Sequence, residues 1–326
     1  MVPRMRARLS ISPRAYAAVA VAAQVILVII VVSGAGVRTS GSGLGCPDWP
    51  DCRGTFVPAL DYHTWMEYGN RLLSTAVGVV CVAAGVLVFL RRPFRRDLVR
   101  PALVLPFGVC AEGALGACAV IFDLSWPVVI AHYLLSLGLL VAATVLVWRI
   151  RRDPDGGRAG PVHSDALTVI ATRTLVAFGG LVIVLGTFAT AAGPHSGGAG
   201  TGDVVRRLDA FGPHTLRSLI HLHGHLAAAL GFVAIAVWAI ARQRRANGPL
   251  RRSLTAVCLL VAVQGAIGLW QYHTNLPAGV VWLHASLPAA LWGVLVWSWL
   301  AAGRPMREAS PAPGAPGAPV EVPALR

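Results

Sequence analysis

Lysine is absent from the 326 residues, so all 28 basic side chains are arginine. Charge of either sign is scarce: 13% of the chain is charged and 14 residues are acidic, against roughly 25% charged in an ordinary soluble domain. That excludes a water-soluble globule. The first apolar run has no small-residue cleavage site at its end, which excludes a cleaved signal and leaves it as a span. Closely spaced His/Cys ligand sets of the zinc type are also missing. Cys81, Cys110, Cys118 and Cys258 scatter through apolar stretches as small apolar residues do. No Gly/Pro-interrupted segment marks the midplane site of a transporter.

What is there is apolar. With 56% hydrophobic residues, the chain carries runs of about 20, the length that crosses about 30 Å of hydrocarbon as a helix. The expected class is an all-α integral membrane protein with eight spans, at residues 15–37, 64–90, 101–121, 127–149, 168–191, 217–241, 252–271 and 279–301. The arginines alternate by loop. Arg4, Arg6, Arg8 and Arg14 precede the first span, Arg91 to Arg100 hold five between the second and third, and Arg149 to Arg158 hold four after the fourth. Another cluster, Arg242 to Arg252, separates the sixth from the seventh, and Arg304, Arg307 and Arg326 close the chain. The positive-inside rule then puts both termini in the cytoplasm, in the inner (plasma) membrane, as a multi-pass protein. The same asymmetry explains the net charge of +14 through anionic lipid headgroups, so no nucleic-acid partner is implied. Residues 153–165 read as a flexible linker and the Pro-rich tail as disordered.

An internal repeat organises the spans. "EGALGA" from Glu112 matches "QGAIGL" from Gln264, an offset of 152 that also relates His132 to His284 and Gly34 to Gly186. At an offset of 153, "NRLLSTAVG" from Asn70 falls on "HGHLAAALG" from His223. Two pseudosymmetric four-helix bundles follow: residues 1–150, a linker 151–167, residues 168–303, and a tail 304–326. Asn70, His132, His223 and His284 sit at one depth, roughly 10 Å in at 1.5 Å per residue. Of the three histidines at 221, 223 and 225, only His223 occupies the repeat position. Two imidazoles at one depth on facing helices, His223 and His284, suit a planar macrocycle with two axial ligands, which argues for heme.

Other residues carry chemistry in the first half only. Glu67 is an ionisable group entering the outer layer of the second span, one turn before Asn70. It either handles a proton near a heme or pairs with Arg71. Glu112 replaces the Gln264 of the other half and bridges helices or acts itself. Cys46 and Cys52 lie in an outer Gly/Pro-rich loop where a disulfide is feasible, as a staple or as an exchangeable redox pair. The matching loop at 192–216 has no cysteine.

Taken together, "TSGSGLGCPDWPDC", "EYGNR", "EGALGACAV" with His132 twenty residues on, "GPHSG", His223 and His284 resemble the heme A synthases over essentially residues 15–300. The resemblance implies an oxidoreductase that converts the C8 methyl of heme O to a formyl group by successive hydroxylations, supplying heme A to terminal oxidases. It implies a heme b cofactor held by His223 and His284 in the C-terminal half. It also implies a substrate site in the N-terminal half with Glu67, Asn70 and His132, and a redox role for Cys46 and Cys52. The chain departs from the family's "ExxHR" by placing Asn70 where a histidine is usual, so His132 is expected to hold substrate iron alone. His63, two turns earlier, is the weaker substitute. Expected partners are heme O, membrane lipid, a heme O synthase, an electron-transfer partner and a further copy of the chain. The alternative reading is a b-type membrane cytochrome that only transfers electrons.

Overall fold

The computed structural model describes residues 10–306 apart from 59 and 155–159. Eight long helices account for nearly all of it: α1 (Pro13–Thr39), α2 (Tyr62–Leu90), α3 (Arg96–Ile121), α4 (Trp126–Arg152), α5 (Ala166–Ala192), α6 (Thr215–Gln243), α7 (Gly248–His273) and α8 (Ala278–Ala302). Each is long and apolar enough to cross a membrane. Four of them start with side-chain caps that satisfy an orphan N–H group of the first turn: Ser12 accepts from Ala15, Asp61 from Thr64, Asp165 from Thr168 and Asn247 from Leu250. Most ends lie within two or three residues of the apolar runs. The exceptions are the starts of α7, four residues before its apolar run, and of α3, which begins five residues before Pro101. Arg95 holds Asp97 of its first turn at 2.6 Å, and the helix continues through Pro101 and Pro106, a departure from the ladder that helices tolerate within a membrane protein.

Helix α1 packs on α2 and α4, and α3 packs on the same two, closing a ring. Helices α5, α6, α7 and α8 close a second ring in the same order. The rings meet where α8 lies against α1 and α4. Apolar clusters fill each ring, around Leu27, Leu105 and Leu146 in one and Leu175, Leu254 and Leu295 in the other. Lipid is as apolar as leucine, so close packing rather than water exclusion holds such helices together. Small residues permit it: a Cβ added at Gly108 would meet Leu139 at 2.3 Å, and one at Gly179 would meet Leu295 at 2.7 Å. Two indoles of α8 donate across the seam, Trp292 to the Leu137 carbonyl (3.1 Å) and Trp282 to the Val32 carbonyl (3.0 Å), while Gln24 bonds Thr144 (3.1 Å) within the first ring.

Two features differ from the expected all-helical chain with a free linker. Residues His163–Ser164 (β1) pair in parallel with Arg304–Pro305 (β2), so the end of the linker is bonded to the segment that follows α8. Its beginning is held as well, since Arg91 donates to the Pro154 carbonyl at 2.8 Å. The tail at 307–326, expected to be disordered, lies outside the described residues.

At the end of the molecule opposite the arginine clusters, the loop after α1 lies on the loop after α5. Gly43 N–H donates to the Gly197 carbonyl (2.7 Å) and Gly200 N–H to the Gly41 carbonyl (3.1 Å). Gly41 has φ +74°, and a Cβ there would sit 2.4 Å from the Gly200 nitrogen. Only glycine meets both demands. Arg38 adds a strap, donating to the carbonyls of His195 (3.0 Å) and Thr190 (3.2 Å), while the His195 Nε2 bonds the Leu276 carbonyl (2.8 Å).

Candidate functional site

The imidazole rings of His223 on α6 and His284 on α8 face each other with centroids 6.2 Å apart and planes at 88°. Two imidazoles on opposite sides of one iron, each about 2 Å from it, have centroids about 6 Å apart. His223 Nδ1 lies 3.1 Å from the Val182 carbonyl. A carbonyl only accepts, so Nδ1 carries the proton and Nε2 presents a lone pair, as in histidines that bind metals. The His284 Nδ1 is buried without a partner, and its backbone carbonyl takes the Gln264 amide at 2.7 Å. Beneath the rings lie Gly186 and Gly268, where an added Cβ would come 3.0 Å from the Cε1 of His223 and His284 respectively. The repeat thus supplies both ligand candidates and the glycines that seat them. His221 and His225 point elsewhere: their rings lie 6.2 Å from each other, and His221 contacts Tyr272.

The first half is equipped differently. His132 Nδ1 stands 2.5 Å from Glu112 Oε2, close enough for an ion pair though not aligned as a hydrogen bond, and Ser136 donates to the other carboxylate oxygen at 2.9 Å. Glu112 is thereby placed as the brace of His132, the carboxylate that orients a histidine and leaves its other nitrogen free. Asn70 stands where the first half would need a second imidazole, and its Oδ1 is buried without a partner.

Glu67 does not stand free in a cavity. It is 5% exposed, with Oε1 2.6 Å from Arg71 and Oε2 accepting the Cys46 N–H at 2.8 Å. The Arg71 guanidinium also donates to the carbonyls of Cys46 (2.8 Å), Asp48 (2.8 Å) and Asp51 (2.9 Å). Cys46 and Cys52 are joined as a disulfide with Cα atoms 4.7 Å apart, so this one arginine and one glutamate on α2 clamp the whole disulfide loop. Thr64 extends the clamp, donating to the Gly45 carbonyl at 3.2 Å and to Asp61 at 2.9 Å. The Thr64 N–H (3.0 Å) and its hydroxyl (2.9 Å) both donate to Asp61, and these two bonds hold the exposed Asp61 carboxyl below its ordinary range.

The structure therefore brings His223 to His284, Cys46 to Cys52, and Glu67 to Arg71 and the loop. Among the described residues no hydrogen bond or ion pair joins the Glu67 group to His132. The substitute ligand His63 is otherwise engaged: its Nδ1 bonds Ser42 at 2.8 Å, and Gly200 presses on its ring. Sequence reasoning reached Arg71 only as a partner of Glu67, and it missed Val182 and Arg38. Nothing in the sequence pointed to Arg38, because its partners are backbone carbonyls.

Eight spans in two rings, one of which closes a pair of imidazoles to metal-sharing distance, define a multi-pass membrane protein of the kind that holds heme between helices. The sequence matches the cytochrome oxidase assembly protein family over residues 17–194. The heme A synthase of Symbiobacterium thermophilum is 30% identical over 268 residues, covering 79% of this chain and 86% of the relative. That of Bacillus licheniformis is 25% identical over 298 residues, covering 83% and 91%, and that of Rhizorhabdus wittichii 26% over 306, covering 80% and 86%. The chain belongs to the heme A synthase family.

Proposed function

We propose that the protein oxidises the C8 methyl of heme O to a formyl group by two successive hydroxylations with water-level oxygen and loss of one water, the four electrons passing to an electron-transfer partner, producing heme A for a terminal oxidase. The unequal equipment of its two halves carries this reading. The second half (168–303) has two histidines closed on each other, which would hold a resident heme b. The first half (1–150) has one histidine, His132, braced by Glu112, opposite an amide, which suits a heme that must arrive and leave. Both termini and the arginine clusters face the cytoplasm, and the disulfide loop faces outside.

When bound between His223 and His284, heme b supplies one-electron transfer. Val182 fixes the tautomer of His223, and Gly186 and Gly268 leave the rings room. In the first half, His132 holds the iron of heme O, oriented through Nδ1 by Glu112, and Asn70 leaves the opposite face open. The farnesyl tail stays in lipid, from which the substrate enters laterally. Glu67 is the catalytic group, assisting proton removal or stabilising positive charge at the methyl carbon. It works from within its pair with Arg71, and it also orients the loop carrying Cys46 and Cys52.

Expression in a bacterial host that makes heme O but no heme A, with chromatography and mass detection of membrane hemes, tests the reading. Heme A or a hydroxylated heme O is expected. Heme b on the protein with heme O untouched would instead mark an electron-transfer cytochrome. Glu67→Gln separates the two roles of Glu67, because an amide keeps the acceptor for Cys46 N–H and loses the charge. Loss of conversion with heme b retained supports chemistry at Glu67, and retained heme A production would leave it an anchor.

A further inference from the structure

A cavity of about 610 Å³ lies between the two rings, far from the histidine layer, at the arginine-rich end of the molecule. Its walls come from α1, α4, α7 and α8 and include Val28, Leu140 and Gly293; Arg151, Arg152 and Arg252 also line it. The volume is within the range of about 300–1,000 Å³ that encloses a small-molecule ligand. Nothing in heme oxidation uses this space.

The arginines converge from separate elements, two from the end of α4 and one from the start of α7, with α8 between them. All three are exposed. Arg151 lies over the Trp297 ring at 6.0 Å, and Trp297 meets Trp148 edge to face at 4.8 Å. Among the described residues, none of the three has a carboxylate within ion-pair distance, although Arg71 and Arg95 do. Three uncompensated guanidinium groups around one apolar slot repel one another, and a phosphate that accepts from them in forked geometry relieves this. A phosphate alone would leave the slot unfilled. An amphiphile satisfies both features, and basic pockets between spans at this level are where anionic headgroups bind.

We propose that this crevice binds one anionic phospholipid, its phosphate held by Arg151, Arg152 and Arg252 and one acyl chain laid in the slot along Val28, Leu140 and Gly293. The lipid fills the seam between the halves and fastens them together at the end opposite the glycine loops.

Native mass spectrometry of the full chain, titrated with phosphatidylglycerol and with phosphatidylcholine, tests this. One phosphatidylglycerol should survive per chain, with phosphatidylcholine at least tenfold weaker. Each arginine near a headgroup is worth about fivefold, so Arg151→Gln, Arg152→Gln and Arg252→Gln together should weaken retention roughly 100-fold. Gly293→Leu keeps the arginines and fills the slot, and should weaken it at least tenfold. Equal retention of the two lipids, an unchanged triple variant, or wild-type retention by Gly293→Leu would each overturn the proposal. Displacement by millimolar inorganic phosphate would also overturn it, leaving a headgroup-sized anion site only. If the triple variant does not fold, the lipid ratio on the unaltered chain and the Gly293→Leu result decide.

Discussion

Removing Arg71 tests the clamp on the disulfide loop. Arg71→Gln deletes four donated bonds at once, to Glu67 and to the carbonyls of Cys46, Asp48 and Asp51. It also strands a carboxylate that is 5% exposed. Breaking a buried ion pair from one side costs about 3–5 kcal/mol, because the remaining charge is left uncompensated. The loop has its own way out, since it can lift from α2 and hydrate Glu67 without unfolding the helices. The cost should therefore appear as local opening, about 100-fold more frequent if about 3 kcal/mol is lost. The assay is hydrogen exchange by mass spectrometry on peptides spanning residues 45–58, with the rate of disulfide reduction by dithiothreitol as a second readout. The double variant Glu67→Gln/Arg71→Gln supplies the decisive sign. Both variants lose the same arginine bonds, but the double one leaves no buried charge, so it lacks the uncompensated-charge part of the cost and its loop should open less often than that of Arg71→Gln alone. A double variant that opens as much as the single one, or a single variant with wild-type protection, would refute the clamp.

Three further outcomes are expected. His223→Ala and His284→Ala should lose the bound-heme absorption spectrum while His221→Ala keeps it, and Gly268→Val, which drives a branched side chain toward His284 Cε1, should lose it as well; equal loss at His221 would undo the repeat argument. Glu112→Ala should lower substrate heme binding at His132 roughly tenfold to 100-fold, the usual range for an outer-shell partner, leave the heme of the second half in place, and be partly rescued by Glu112→Gln; heme O titration followed by difference spectroscopy measures both. The Asp61 carboxyl is held below its ordinary range in the folded chain by its bonds from Thr64, so its cap is fully present at neutral pH and is lost as pH falls through the lowered pKa; protection of the Thr64 amide should be flat from neutral to mildly acidic pH and then drop, and Asp61→Ala should abolish the dependence.

The membrane spans were legible because each is an uninterrupted apolar run, and nothing else in the chain competes for that pattern. Helix α3 was read five residues short because Pro101 looks like a beginning, whereas Arg95 and Asp97 support a start further back. The common depth of His223 and His284 was legible from the repeat, at offsets of 152 and 153, since helices repeated in order and length bring repeated positions to one level. Glu67 shows where such reading stops. Its carboxylate is partnered by the backbone of a loop about twenty residues away, and backbone donors leave no mark in a sequence. The same holds for Val182 and His223. His63 looked available by helical spacing, yet Ser42 and Gly200, residues from two different loops, occupy it.

The two-residue pairing of β1 with β2 has a topological meaning. Arg304 N–H bonds the Val162 carbonyl at 2.9 Å, so the chain enters and leaves its last four helices at nearly one point. A segment whose ends touch can be copied in tandem, because a second copy joins without a long connector, and an even number of crossings gives both copies the same orientation. Tandem repetition of a four-helix unit is compatible with both conditions. In such a repeat one copy can keep its paired ligands while the other, with Asn70 in place of an imidazole, is released to trade a permanent occupant for a passing one.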